Sequence, residues 1–229
     1  MKFEDRPEVK QYYSNQKCLR MARIFMDRAS ESGIPEIYQR INKETFRSFL
    51  FPEYHTGDGI DQITNLIYDT PDKLCKIPFI LIDGGDSIAR KKAGYAILFR
   101  LILFNKIARA VFCKDMVSKL DTFSAVNDEM LVRVDLAAEL KGFDILFIEE
   151  FYPEIFHINR DGGSLTDSII DDRLRNVRPT VVSFVNAISP IKEAICGRYL
   201  ADMLNKEYPN SRDHSINPSG DYLRIRVKS

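Results

Sequence analysis

The chain has 229 residues, 45% hydrophobic and 29% charged, and with 15 Phe and 10 Tyr it carries too many apolar groups to be a disordered coil. Lysine plus arginine and aspartate plus glutamate both number 33, so a generally basic nucleic-acid coat is excluded, although a local basic patch is not. The four cysteines, Cys18, Cys75, Cys113 and Cys196, are too scattered for a metal knuckle; Cys75 and Cys113 sit in apolar runs and are expected to be buried thiols in a reducing compartment.

The N-terminal MKFEDRPEVK lacks the apolar region of a signal peptide. The longest apolar stretch, 93–104, is interrupted by Arg100 and is too short to span a bilayer. The expectation is a soluble, cytoplasmic protein with no membrane partner. Residues 1–32 read as a helical N-terminal extension. Within it Leu19, Ala22, Phe25, Met26 and Ala29 recur at spacings of three and four and form one apolar stripe. Ser32-Gly33-Ile34-Pro35 breaks that helix. Short helical patterns follow to residue 76, around a loop at His55-Thr56-Gly57-Asp58-Gly59.

After Pro78 the texture changes. Phe79-Ile80-Leu81-Ile82 runs into Asp83-Gly84-Gly85-Asp86, and an amphipathic helix is expected over 89–105. Further apolar runs, 109–113, 144–150 and 180–185, alternate with helical stretches, and a last helix (191–206) and strand (222–227) close the chain. Strands apolar on both faces that alternate with helices predict a parallel sheet covered on both sides. Residues 33–229 are therefore expected to form an α/β domain.

Two constellations suggest chemistry. Strand, glycine turn and helix at 79–105 is the context of a phosphate loop, in which backbone N–H groups and a helix N-terminus face the phosphates. Against the pattern G-x-x-x-x-G-K-[ST], the register from Gly84 puts Ala89, Arg90 and Lys91 at the last three positions. The register from Gly85 recovers Lys91 but puts Lys92 at the hydroxyl position. The second constellation is Ile145-Leu146-Phe147-Ile148-Glu149-Glu150, a Walker-B-like strand end at which one acid holds magnesium and the next orients water. Glu149 stands where that pattern has Asp. The three histidines, His55, His157 and His214, are scattered and suggest no catalytic arrangement.

Taken in order, these segments resemble the replicative-helicase loaders of the AAA+ superfamily, the DnaC/DnaI type of bacteria and phages. The resemblance covers about residues 33–227 and runs through Gly33-Ile34-Pro35 with Tyr38, Thr45-Phe46 and Phe49. It continues through the degenerate phosphate loop, the strand ending in Glu149 and Glu150, and Arg173 with Arg178-Pro179-Thr180-Val181-Val182-Ser183. It ends near Arg198, where such loaders carry an arginine that reaches a neighbour's nucleotide. It implies an AAA+ P-loop-type sheet, a DNA-replication role, and the replicative helicase and single-stranded DNA as partners. It also implies Leu19, Ala22, Phe25 and Met26 as the helicase docking face and Arg198 as an interface residue.

The departures gather at nucleotide-handling positions. Arg90 and Lys91 stand where the family has Lys and Thr, Val185 falls at the sensor asparagine with Asn186 one place late, and Asp202 replaces a second arginine. Gly84, Gly85, Arg90 and Lys91 are thus expected to be a vestigial nucleotide site, and Glu149 and Glu150 a vestigial catalytic pair. Neither metal nor cofactor is expected. Two states of the site are open: Arg90 and Lys91 hold an anion in place of the metal, or they pair internally with Asp86, Glu149 or Glu150 and close it. The expected protein is a monomer or weak oligomer when alone. The alternatives are an active ATP- and magnesium-dependent loader using the shifted loop, and an inhibitory helicase-binding protein.

Overall fold

A computed structural model describes residues 7–50, 59–120, 127–151, 165–184 and 222–228. Helix α1 (Pro7–Glu31) is followed by a 3₁₀ turn at Glu36–Tyr38 and by α2 (Lys43–Phe49), α3 (Gly59–Tyr68) and α4 (Pro71–Leu74). Then come β1 (Phe79–Gly84), α5 (Ser87–Leu103), β2 (Ala108–Phe112), α6 (Cys113–Leu120), α7 (Asn127–Gly142) and β3 (Ile145–Phe151). Helix α8 (Leu165–Arg175), β4 (Thr180–Phe184) and β5 (Tyr222–Val227) complete the described elements.

The five strands form one all-parallel sheet in the order β2-β3-β4-β1-β5. Alternation of side chains divides its core in two. Ile80, Ile82, Phe147, Val181 and Ile225 face α5 and the N-terminal helices, while Phe79, Leu81, Leu146, Ile148 and Val182 face α6, α7 and α8. That is the two-sided cover the apolar runs predict. Helix α5 lies unusually close to the sheet because Gly94 faces Phe147; a Cβ there would stand 2.2 Å from the ring.

Three helices end in the same hydrogen-bonded motif with a left-handed residue after the cap. The residue is Gly33 after α1 (φ 82°), Asn105 after α5 (φ 60°) and Val177 after α8 (φ 52°). The bonds Ile34 N to Ala29 O, Lys106 N to Leu101 O and Arg178 N to Arg173 O close the three ends. At the amino ends of the strands Arg173 is wholly buried. It donates to the carbonyls of Leu140 (3.0 Å), Phe143 (2.7 Å) and Pro179 (2.8 Å) and to Thr180 Oγ1 (3.0 Å). Burial, and then the nearby Arg178, lower its pKa to about 10.

Two details differ from expectation. Helix α5 begins at Ser87 rather than Ala89, because Asp86 caps it. Cys113 is buried but Cys75 only half-buried, since it lies in the link between α4 and β1 and not inside an apolar element. The expected helix at 191–206, Arg198, Val185, Asn186, Asp202 and all three histidines lie outside the described residues. No helix among the described residues is long and apolar enough to cross a membrane.

Candidate functional site

Strand β1 hands the chain to α5 on one face of the sheet, whereas β3 is followed by α8 on the other. Open α/β sheets bind ligands beyond the carboxyl ends of strands at such a reversal. Both constellations marked in the sequence meet there: the Gly84-Gly85-Asp86 turn at the end of β1, and Glu149-Glu150 at the end of β3.

The turn is short. Gly84 is the last residue of β1 and Ser87 the first of α5, which leaves only Gly85 and Asp86 between them. A phosphate loop needs its intervening residues in loop conformation, with free N–H groups turned inward. Here Ser87 through Lys91 are already helical, and Arg90 N donates to Asp86 O (3.2 Å). Gly84 (φ 79°) is required by crowding as well as by its dihedral, because a Cβ would lie 2.6 Å from Val227 O.

The two glycine carbonyls and the head of α5 are met from within the chain, while Arg90 Nε is buried without a partner. Arg90 is 5% exposed and folds back so that Nη1 donates to Gly84 O (2.9 Å) and Gly85 O (2.7 Å). The Asp86 carboxylate accepts from Ala89 N (2.7 Å) and caps α5. A carboxylate of the chain thereby takes the helix terminus at which an anion would bind.

Successive strand residues point to opposite faces, yet Glu149 and Glu150 approach one lysine. The β3–β4 register shifts between Ile148 and Phe151, and Glu150 has φ 50°. Its N–H turns to Ser183 Oγ (2.8 Å) instead of the ladder. Such a bulge re-aims a side chain at a sheet's rim. Lys91 Nζ then lies 3.6 Å from Glu149 Oε2 and 3.7 Å from Glu150 Oε1. Ser87 donates its hydroxyl to Glu150. The Tyr95 hydroxyl donates to Glu149, and its ring stacks on Tyr38 with centroids 4.9 Å apart. Burial first, and then the bond to Glu149, push the Tyr95 phenol well above its ordinary pKa.

Magnesium does not fit this arrangement. The ammonium of Lys91 already stands between both carboxylates, and the one hydroxyl at the head of α5 donates to a carboxylate. Among the described residues no group of three or more His, Cys, Asp or Glu side chains is placed to hold a metal ion. Lys92 points elsewhere, over the Phe49 ring at 5.3 Å.

Within the α1 stripe, Ala29 is buried, Phe25 is half-buried against the core, and Ala22 and Met26 are exposed. The side chain of Leu19 lies outside the described residues. Sequence reasoning missed the wholly buried Asp83, which pairs with Arg224 and Arg226 on β5. The alternation Arg224-Ile225-Arg226 beside an acid at a strand end was the available signal, since residues i and i+2 share a face. Tyr38 and Ser183 entered the sequence reading only as parts of the resembling segments, and Tyr95 carried no motif that could have found it.

No family model matches the chain, and no curated protein matches it.

Proposed function

We propose that this chain is a DNA-replication accessory protein of loader-like AAA+ type that works by binding the replicative helicase and does not hydrolyse ATP. The observation that carries the loss of turnover is the closed turn: Arg90 braces the carbonyls of Gly84 and Gly85, and Asp86 caps the helix at which phosphate would bind. The pairing of Lys91 with Glu149 and Glu150 supports it, because water activation needs one of those acids free and a metal beside it. The replication role rests on the resemblance of the ordered segments between residues 33 and 227. Arg198 is the residue proposed for the subunit interface, in a protein that is monomeric or weakly associated until helicase or single-stranded DNA is present.

An active loader using Gly85 to Lys91 as a shifted phosphate loop is disfavoured because those residues are turn and helix. The deciding experiment is calorimetry with ATP and ADP, with and without magnesium. The expected result is no saturable heat. Turnover of about 1 s⁻¹ or more, abolished by Glu150→Gln, overturns the reading. A helicase-loading assay then separates a loader from an inhibitory protein that occupies a loader's place.

A further inference from the structure

Two opposite charges line one cleft without pairing. At the amino ends of β2 and β3, the opposite end of the sheet from the glycine turn, lies a cleft of about 430 Å³. Arg28 and Glu31 of α1, Lys106 and Ile107 ahead of β2, and Phe143 and Asp144 ahead of β3 line it. Glu31 is exposed and Lys106 half-buried, and neither side chain enters an ion pair among the described residues. Arg28 and Asp144 add one charge of each sign, so the lining is neutral as a whole.

The walls are braced by bonds that leave these two charges unused. Arg28 donates to the Asn105 side chain, and Arg109 donates to the Glu31 carbonyl (2.9 Å), not to its carboxylate. Asp144 accepts from Ile107 N (2.9 Å) through one of its oxygens. Lys106 N donates to Leu101 O (3.2 Å) and Ala110 N to Ser32 O (2.8 Å), which fixes the backbone of both rims. A cleft held in this way loses little freedom when a ligand enters. Its volume falls in the range of small-molecule sites, about 300–1,000 Å³. Ile107, 66% exposed, and the half-buried Phe143 give it apolar surface.

The charges set the kind of ligand. A simple anion would satisfy Lys106 but would be repelled by Glu31 and Asp144, and a simple cation would meet the reverse. A small zwitterion satisfies both signs. Its ammonium belongs with Glu31, the last residue of α1, where the helix C-terminus also favours a cation. Its carboxylate belongs with Lys106, in a charge-assisted hydrogen bond. We infer that this cleft is a binding site for a free α-amino acid with an apolar side chain, which Ile107 and Phe143 would cover. The inference does not rest on the proposed function, and the site is separate from the closed turn.

The test is calorimetry of the full chain with L-leucine, L-phenylalanine and L-tryptophan, each beside its N-acetyl amide, which keeps the side chain and carries no charge. At least one free amino acid should saturate with a Kd of about 1 mM or tighter, the scale for a ligand of this size. Its N-acetyl amide should bind about tenfold more weakly or worse. Glu31→Gln should weaken the free amino acid by about tenfold and leave its N-acetyl form, which has no ammonium, unchanged. Lys106→Met should do the same and leave the amino-acid amide, which has no carboxylate, unchanged. Three results overturn the inference: no saturation by any of the three up to about 10 mM, blocked forms held as tightly as free ones, or an affinity that either substitution leaves unmoved. Neither side chain holds an ion pair, so both variants should fold, which circular dichroism checks.

Discussion

Arg90 donates from the first turns of α5 to the carbonyl oxygen of Gly84, 2.9 Å away, so a basic side chain at the head of the helix braces the strand end instead of facing solvent. The same Nη1 reaches Gly85 O, and the residue is 95% shielded from water, by its 5% exposure. Two carbonyls in a two-residue turn have few other donors within reach. The glycine turn and the arginine are therefore one structural unit.

Arg90→Met should lower stability by about 1–3 kcal/mol, the cost of leaving buried carbonyls without donors. Arg90→Lys should recover part of it, because both carbonyls are met by a single nitrogen, Nη1, and an ammonium also carries several donors. Urea denaturation of the three proteins measures this. If Arg90→Met is as stable as the parent, the brace contributes nothing. Under the proposed function, neither variant gains nucleotide binding.

Much of the fold was legible because buried parallel strands announce themselves. The runs at 79–82, 145–148 and 180–184 are four or five residues long and each follows a Pro or a charged residue, which separates them from the longer apolar run of α5. The site was legible only as residue types. Its geometry depends on where α5 starts, and the N-capping of Asp86 moved that start by two residues, turning an apparent loop into helix. The convergence of Glu149 and Glu150 depends on a bulge, for which a run such as Ile148-Glu149-Glu150-Phe151 offers no signal.

Val177 is a β-branched residue in a left-handed conformation, with φ 52° and its side chain 53% exposed. The corresponding positions after α1 and α5 hold Gly33 and Asn105, which tolerate that region. Val177→Gly should therefore stabilise the protein by about 1 kcal/mol, relief of backbone strain partly offset by the freer unfolded chain. A thermal melt shows it as a rise of a few degrees. An unchanged or lower melting temperature would mean that the Val177 side chain makes up for its strain through contacts of its own.

Alkaline pH should unfold the protein by way of two tyrosines. Burial pushes Tyr68 up to about 12, only partly opposed by Arg100, and burial together with Glu149 raises Tyr95 further. Both phenols keep their protons in the fold at a pH where unfolded tyrosine, near 10, gives them up. The folded state then binds more protons than the unfolded state, so stability is full below about pH 10 and falls as pH rises above it. Each phenol can steepen that fall by up to about 1.4 kcal/mol per pH unit. Urea midpoints from pH 8 to 11 should bend downward near pH 10. Tyr95→Phe should show a shallower bend, and an identical one would remove Tyr95 from the account.

The position of a truncation in α1 should decide its outcome. Phe25 and Ala29 pack on the core, Arg109 donates to Glu31 O (2.9 Å), and Ala110 N donates to Ser32 O (2.8 Å) on the outer edge of β2. Residues 20–23 are exposed and make none of these contacts. Removing residues 1–23 should leave a folded protein that melts within a few degrees of the parent. Removing 1–31 takes away a buried alanine, a half-buried phenylalanine and a carbonyl acceptor, and should cost about 3 kcal/mol or more. The shorter deletion is thus the one that tests binding. It removes Leu19 and Ala22 of the proposed docking stripe together with Arg20 and Arg23, but keeps Phe25 and Met26. Under the proposed function it weakens helicase binding. If the 1–23 deletion unfolds, the upper part of α1 belongs to the core and the stripe is not a docking face.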